Sequence, residues 1–333
     1  MKTVSIREVA REAGVSVATV SNVLNRPEIV ASRTRNRVQA AIEALGYVPN
    51  LAARQLSNGS STAVGIVLFD VRNPFLAGVA RGAEDFLYGV GQTAVLCNTD
   101  VDADREQRYL DMLAQQRAQG VLVTPAALTG EWLDGLRDRG LRAVLFHNST
   151  DYPHICSVAV DDVGGGELAA THLLARGHRH IACVTGPSDM RQSIDRLEGC
   201  HRAVARAGLP ADSVEVVEVG AFTLDQGRRA GERILTSATS ATAVFCANDL
   251  LALGVMQVVT RAGLRVPEDL AVVGYDDIDA AATAGVPLTT VHVDGHELGR
   301  AAARLLVDEV TNPNEHRHRR LLFSPRLVER ASS

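Results

Sequence analysis

From Thr62 onward the chain repeatedly changes its period. Short runs rich in Val, Ile, Leu and Ala alternate with longer stretches whose apolar residues recur at helical spacing. The runs are Ala63–Phe69, Thr93–Cys97, Gly120–Thr124, Ala143–Phe146, Ser157–Val160, His180–Thr185, Val214–Val219, Ala243–Cys246 and Leu270–Gly274. Each is followed by a helical pattern or a polar loop. A strand that is apolar on both faces needs helices on both sides. The pattern therefore predicts a doubly wound α/β fold with parallel sheets. The repeats run too long for one sheet, so two similar lobes are expected. In such folds ligands sit at the carboxyl ends of strands, which makes the cleft between lobes the default site.

A chain of 333 residues with 46% hydrophobic content can hold two or three domains with sizeable cores. Its net charge of −5 argues against a polyanionic partner. The charge is uneven, however. Residues 1–60 carry eight Lys or Arg against four Glu, and the remainder carries 26 against 35 acidic residues. A small basic head on an acidic body suggests that only the head meets nucleic acid. Cys97, Cys156, Cys183, Cys200 and Cys246 show no C-x-x-C spacing and read as reduced thiols. The first residues form no signal-like apolar run, and no apolar segment is long enough to span a bilayer. A cytoplasmic protein with no membrane partner is expected.

The head reads as three short helices. Ser5 and Glu8 form a capping box ahead of Ile6, Val9 and Ala10. Gly14 supplies a tight turn. Ser16 caps a second helix that buries Val20, Val23 and Leu24. A third helix runs from about Arg33 to Leu45, with Val38, Ala41, Ile42 and Leu45 inward. Gly46 ends it and Pro49 prevents its resumption. Two short helices joined by a Gly turn form either a generic helical hairpin or a helix-turn-helix. The cap, the turn, the basic balance and the third helix all favour the second.

The segments SIREVAREAGVSVATVSNVLN and TRNRVQAAIEALGYVPNLAARQL resemble the N-terminus of the lac repressor family of bacterial regulators. That resemblance implies that Val17, Ala18 and Asn22 face base edges. It implies phosphate contacts from Ser5, Ser16, Thr19, Ser21, Asn25, Thr34, Tyr47 and Asn50. Such hydroxyls and amides position a helix, whereas Asn22 can pair with adenine and Ala18 or Val17 can meet a thymine methyl. Many relatives have Arg at the Asn22 position. The family usually has Ser where Ala31 stands, and Ser32 is expected to take over that cap. Residues 50–61 read by composition as a linker, and by resemblance as a hinge helix that orders on DNA. Ala53 lies in it, and Leu56 matches the leucine wedged into the minor groove.

The resemblance continues through DVRNPFLAGVARGAEDF, LLARGHRHIACVTGP, DRLEGCHRAV, GLRVPEDLAVVGYDD and PLTTVHVDGHELGRAAARLL. It implies a helix-turn-helix domain over 1–49 and a periplasmic-binding-protein-like effector domain over 62–333. Lobe one would span about 62–161 and 292–323, and lobe two about 162–290 and 324–333. The implied effector contacts are Asn73, Phe75, His147, Arg196, Phe222, Asn248 and Asp276. An Arg fork beside Asp and Asn suits vicinal hydroxyls, and a ring face suits a pyranose or a base. His147 stands where relatives often carry an acid, and an ordinary strand-end histidine is the other reading.

The expected protein is thus an effector-controlled transcription regulator that reads palindromic operator DNA as a homodimer. The chain ends just after LVERASS, without the leucine-rich helix that makes some relatives tetrameric. The effector would be a sugar or nucleoside, and no cofactor or metal is expected. Two rivals are a solute-binding protein and a dinucleotide enzyme built on Gly164, Gly166 and Ala169 in VGGGELAATH. Asp161 and Asp162 beside those glycines would repel a pyrophosphate. Lys2 is the only lysine, so there is no P-loop, and no G-x-S-x-G elbow occurs. The run HRHRR (His316–Arg320) suggests metal ligands, but a solvated loop is the preferred reading.

Overall fold

The structure, a computed structural model, describes residues 4–48, 61–125, 128–146, 152–237 and 241–333. They fall into two compact units, one ending at Ser61 and one covering Thr62–Ser333.

The first unit holds α1 (Ile6–Glu12), α2 (Val17–Asn25) and α3 (Ser32–Leu45). The capping box is complete: the Ser5 amide donates to Glu8 Oε2 at 2.7 Å, and the Glu8 amide donates to Ser5 Oγ at 3.4 Å. Ser16 Oγ accepts the Thr19 amide at 3.1 Å and so starts α2. Between these helices Gly14 has a φ of 59°, and Gly46 ends α3 with a φ of 60°. Both are left-handed positions where a side chain would be strained. The core is small: Val9, Ala10, Ala13, Val20, Val23, Val38 and Ala41 are buried, with Leu24, Ile42, Leu45 and Tyr47 packed against them. The expected Ser32 cap does not form. Ala31 is the N-cap of α3, and no side chain bonds there. Ser32 already has helical geometry, so its hydroxyl stands one residue too late to take a first-turn amide.

In the second unit the strands are β1 (Ala63–Leu68), β2 (Thr93–Asn98), β3 (Gly120–Val123), β4 (Ala143–Phe146), β5 (Cys156–Val160), β6 (Ile181–Thr185), β7 (Val214–Glu218), β8 (Ala243–Cys246), β9 (Ala271–Asp276), β10 (Thr289–His292), β11 (Arg320–Phe323) and β12 (Arg326–Val328). The helices are α4 (Pro74–Gly89), α5 (Ala103–Gln115), α6 (Gly130–Asp138), α7 (Asp162–Ala175), α8 (Arg191–Arg206), α9 (Leu224–Thr236), α10 (Asp249–Arg261), α11 (Asp279–Thr283) and α12 (Gly295–Thr311). Two six-stranded sheets result, ordered β11-β5-β4-β3-β1-β2 in lobe one and β12-β10-β9-β8-β6-β7 in lobe two. The chain passes between them after Val160, after His292 and after Phe323. Among the described residues every pairing is parallel except β10 with β12. The last strand follows a short crossing and has no helix to carry it around the sheet, so it can only run antiparallel. The three strands β10, β11 and β12 were not expected from the sequence. They are short, and β11 is an edge strand that alternates exposed with half-buried residues, which breaks the continuous apolar signal.

Reciprocal glycines seal the helix pairs. A Cβ on Gly166 would meet the backbone of Arg196, and one on Gly199 would meet the backbone of Val163, so α7 and α8 touch main chain to main chain. Gly227 and Gly254 join α9 to α10 in the same way, and Gly82 and Gly299 join α4 to α12. The G-x-G-x-x-A match is therefore a packing device. Gly164 donates its amide to Asp161 Oδ1 at 2.9 Å, and that carboxylate caps α7. Among the described residues no helix is long and apolar enough to cross a membrane.

Candidate functional site

In the first unit the outward face of α2 carries the residues expected at base edges. Val17 is 41% exposed, and Ala18 and Asn22 are exposed as well. Ala18 and Asn22 lie one turn apart, opposite buried Val20 and Val23, so the core fixes which face they present. The polar residues around them are pre-positioned. Ser16 and Thr19 share a hydroxyl hydrogen bond of 2.9 Å, and Asn25 Nδ2 donates to Ser21 Oγ at 3.3 Å. Ser5 is exposed, and Thr34 and Tyr47 are half-buried. Arg7, Arg26, Arg33, Arg35 and Arg37 make the unit basic. Asn50, Ala53 and Leu56 lie outside the described residues, as does the expected hinge.

In the second unit six separated residues converge between the lobes. Asn73, Phe75, Arg196, Phe222, Asn248 and Asp276 line one cavity together with Phe69, Leu76 and Gln192. The seventh expected contact, His147, lies outside the described residues. Local structure explains the convergence. Asn73 is the N-cap of α4, its Oδ1 accepting the Phe75 amide at 2.9 Å. Asn248 is the N-cap of α10, its Oδ1 accepting the Leu251 amide at 2.9 Å and its Nδ2 donating to the Phe222 carbonyl at 3.4 Å. Each cap marks the point where a strand ends and a helix begins, which is the ligand-facing edge of such sheets.

Arg196 is the centre of a buried polar network, not a surface charge. It is 3% exposed, Asp162 is 7% exposed and Asp276 is 5% exposed. Its Nε donates to Asp162 Oδ1 at 2.8 Å, its Nη1 donates to the Ala247 carbonyl and lies 3.7 Å from Asp276 Oδ1, and its guanidinium sits 3.7 Å from the Tyr275 ring centroid. Burial alone would lower the Arg196 pKa, but Asp162, Tyr275 and Asp276 outweigh it, so the side chain stays cationic. Burial pushes the Asp276 carboxyl well above the usual carboxylate range while Arg196 pulls it down.

Asp276 also has an unusual backbone. Its φ is 103°, and Asp277 follows with a φ of 59°. Strain of this kind persists only where surrounding contacts hold it. Here Asp249 Oδ2 accepts the Ile278 amide at 2.9 Å, and its Oδ1 accepts Thr290 Oγ1 at 2.6 Å. Asp277 is gripped by Arg330 Nη2 at 2.6 Å and His292 Nδ1 at 2.9 Å. Burial raises the Asp249 pKa to about 7, although both hydrogen bonds favour the ionised form.

The space among these groups is uneven. The deep cavity measures about 10 Å³, room for about one water. It shares Phe69, Asn73 and Phe222 with a wider mouth of about 340 Å³, which Asp70, Arg72, Asp100, Asp189 and Met190 also line. Phe222 lines both and lies against Gly186, where a Cβ would strike its ring. A larger hollow of about 570 Å³ opens on lobe one beside α6, Tyr152, His154 and Glu309, away from this network.

Sequence reasoning missed Gln192, Phe69 and Asp162 as members of the site. Gln192 precedes Arg196 by one helical turn, so the shared face was a readable signal. Asp162 was read only as a charge that repels phosphate. The preferred reading of HRHRR as a solvated loop holds for Arg317, His318 and Arg319, which are exposed and lie outside any helix or strand, and fails for His316, whose side chain is 2% exposed and bonds Asp308. A short loop folded back onto β5 buries it.

Two family models match the chain: bacterial regulatory proteins of the lacI family over residues 5–50, and the periplasmic binding protein-like domain over residues 170–333. The "HTH-type transcriptional repressor PurR" of Aliivibrio salmonicida (strain LFI1238) is 35% identical over 330 residues, covering 98% of each chain. The solved transcriptional regulator CelR–cellobiose complex is 34% identical with a TM-score of 0.73, covering 99% of this chain and 100% of the other. The lac repressor dimer bound to operator and the anti-inducer ONPF is 28% identical with a TM-score of 0.87, covering 99% of both.

Proposed function

The chain belongs to the lacI family of bacterial regulatory proteins, and we propose that a sugar or nucleoside seated between its lobes is the effector that governs it. It is a DNA-binding transcriptional regulator controlled by a small molecule, not an enzyme. Regulators of this family bind operator DNA and dimerise. On our reading this chain does so as a cytoplasmic homodimeric repressor of a palindromic site.

One observation carries the effector class: a buried Arg, Gln, Asn and Asp set faces phenylalanine rings across one cavity. The polar groups suit vicinal hydroxyls, and the rings of Phe75 and Phe222 suit the apolar face of a sugar or base. The cellobiose of the CelR complex belongs to the same chemical class. The deep cavity is smaller than any such ring, so seating one there requires the residues shared with the wider mouth, Phe69, Asn73 and Phe222, to give way and the lobes to part. Binding thereby becomes a change in lobe arrangement. A linkage of about 1–3 kcal/mol is enough to alter operator affinity severalfold or more.

At the DNA end, Val17, Ala18 and Asn22 read base edges. Ser5, Ser16, Thr19, Ser21, Asn25, Thr34, Tyr47 and Asn50 fix the phosphates. Ala53 and Leu56, outside the described residues, complete the set of DNA contacts that the family resemblance implies. The test is a thermal-shift screen of the purified chain against sugars, sugar phosphates and nucleosides. One class should raise the melting temperature, because it binds only the folded state. The Phe222→Ala and Gln192→Ala variants should lose that shift. No shift from any of these compounds, or an undiminished shift in both variants, would overturn the assignment.

A further inference from the structure

We propose that Cys156, His316 and His318 form a site for a thiophilic divalent cation of the zinc class. Cys156 lies on β5, and the two histidines lie in the segment between α12 and β11. Their donor atoms all fall within 4.8 Å of one another. Cys156 Sγ is 3.3 Å from His316 Nε2 and 3.7 Å from His318 Nδ1. In a tetrahedral zinc site the bond lengths to sulfur and nitrogen put those atoms roughly 3.5 Å apart. The two measured separations bracket that value, so little rearrangement is needed.

The surroundings match those of a ligand set. His316 Nδ1 bonds Asp308 Oδ2 at 2.7 Å, which holds the ring proton on Nδ1 and turns the Nε2 lone pair toward Cys156. The Arg319 backbone amide donates to Cys156 Sγ at 3.3 Å and would support a thiolate. Glu309 also bears on Cys156, where with burial it favours the protonated thiol, and its Oε2 is buried with no hydrogen-bond partner among the described residues. Cys156 is buried, His316 is half-buried and His318 is exposed, so a cation could enter from the His318 side. Thiolate and imidazole donors favour zinc over the hard cations.

Binding would replace the thiol hydrogen by a sulfur–metal bond and release that proton to solvent, with no change of oxidation state. The cation would tie the segment before β11 to β5, just ahead of the crossing that follows Phe323. This inference does not depend on the identity of the effector.

The test uses the full chain, stripped with a chelator and then titrated with Co²⁺ and Zn²⁺. The expected result is one equivalent of Co²⁺ with a thiolate-to-metal absorption band in the near ultraviolet, lost on adding Zn²⁺. Zn²⁺ should also raise the melting temperature. Asp308→Asn should weaken binding about 10–100-fold. His318→Ala, an exposed change, should weaken it at least as much. Cys156→Ser should remove the band, with folding checked by circular dichroism. If Cys156→Ser fails to fold, His318→Ala decides. A bound Co²⁺ without the thiolate band, no stoichiometric binding, or wild-type affinity in His318→Ala would leave only a thiol–imidazole hydrogen-bonded cluster and overturn the proposal.

Discussion

The two lobes share a strand order but not a chemistry. Position by position, β11-β5-β4-β3-β1-β2 corresponds to β12-β10-β9-β8-β6-β7. Toward the shared cavity lobe one offers Phe69, Phe75, Leu76 and a single amide, Asn73. Lobe two offers Gln192, Arg196, Asn248 and Asp276, backed by Asp162 and Asp249, together with one ring, Phe222. Topology decides where a functional side chain can stand, and the residue chosen there decides what it does. Recognition of polar groups falls mainly to lobe two, while the apolar faces are shared, Phe75 from lobe one and Phe222 from lobe two.

The largest effect should come from Arg196→Met. It removes the only cation contacting both Asp162 and Asp276 among the described residues, and a buried pair broken on one side costs about 3–5 kcal/mol. Chemical denaturation should report that loss. A change under 1 kcal/mol would mean that lobe two does not hold a buried charge network.

The second concerns Asp249, whose neighbours Asp277 and Arg330 act in opposite directions. Its folded pKa near 7 exceeds the unfolded value near 4, so the folded chain keeps a proton that the unfolded chain has lost. That contribution is fully present below about pH 4 and disappears as pH rises past 7, a span worth up to about 4 kcal/mol. Stability measured across this window should slope less in Asp249→Asn than in the wild type. Identical slopes would remove Asp249 from the account.

Gly166→Ala in lobe two and Gly82→Ala in lobe one should destabilise alike, by about 1–3 kcal/mol each, because both overpack a main-chain contact. Unequal losses would show that the lobes differ in packing as well as in chemistry. Smallest is Asn73→Ala, which removes a helix cap worth about 1 kcal/mol. It should weaken effector binding less than Gln192→Ala does. The reverse order in a binding titration would invert the division of labour between the lobes.

Much of this was legible in the sequence, for identifiable reasons. The buried strands Ala143–Phe146 and Ala243–Cys246 have the expected bounds, because continuous apolar runs between helical patterns admit little else. The capping box at Ser5 and Glu8 is a local signal and was read locally. Asn248 and Asp276 were placed at this cavity because each stands where a strand ends, and Arg196, inside a helix, because DRLEG matches the family motif. Asp162 escaped because its partner Arg196 is brought close only by folding, whereas Gln192 stood on the same helical face as Arg196 and was overlooked. Cys156 and His316 are 160 positions apart, and no pattern along the chain joins them. The edge strands β11 and β12 escaped because half-exposed strands lose the apolar signature.

The central claim is that the cavity between the lobes controls DNA binding at the far end of the chain. The direct measurement is the affinity for a palindromic duplex, selected from random DNA, across a titration with the compound that raises the melting temperature. The wild type should change operator affinity by a factor of about 5–150. Phe222→Ala should bind the duplex normally and not respond. An operator affinity indifferent to the bound compound, or a full response in Phe222→Ala, would contradict the account.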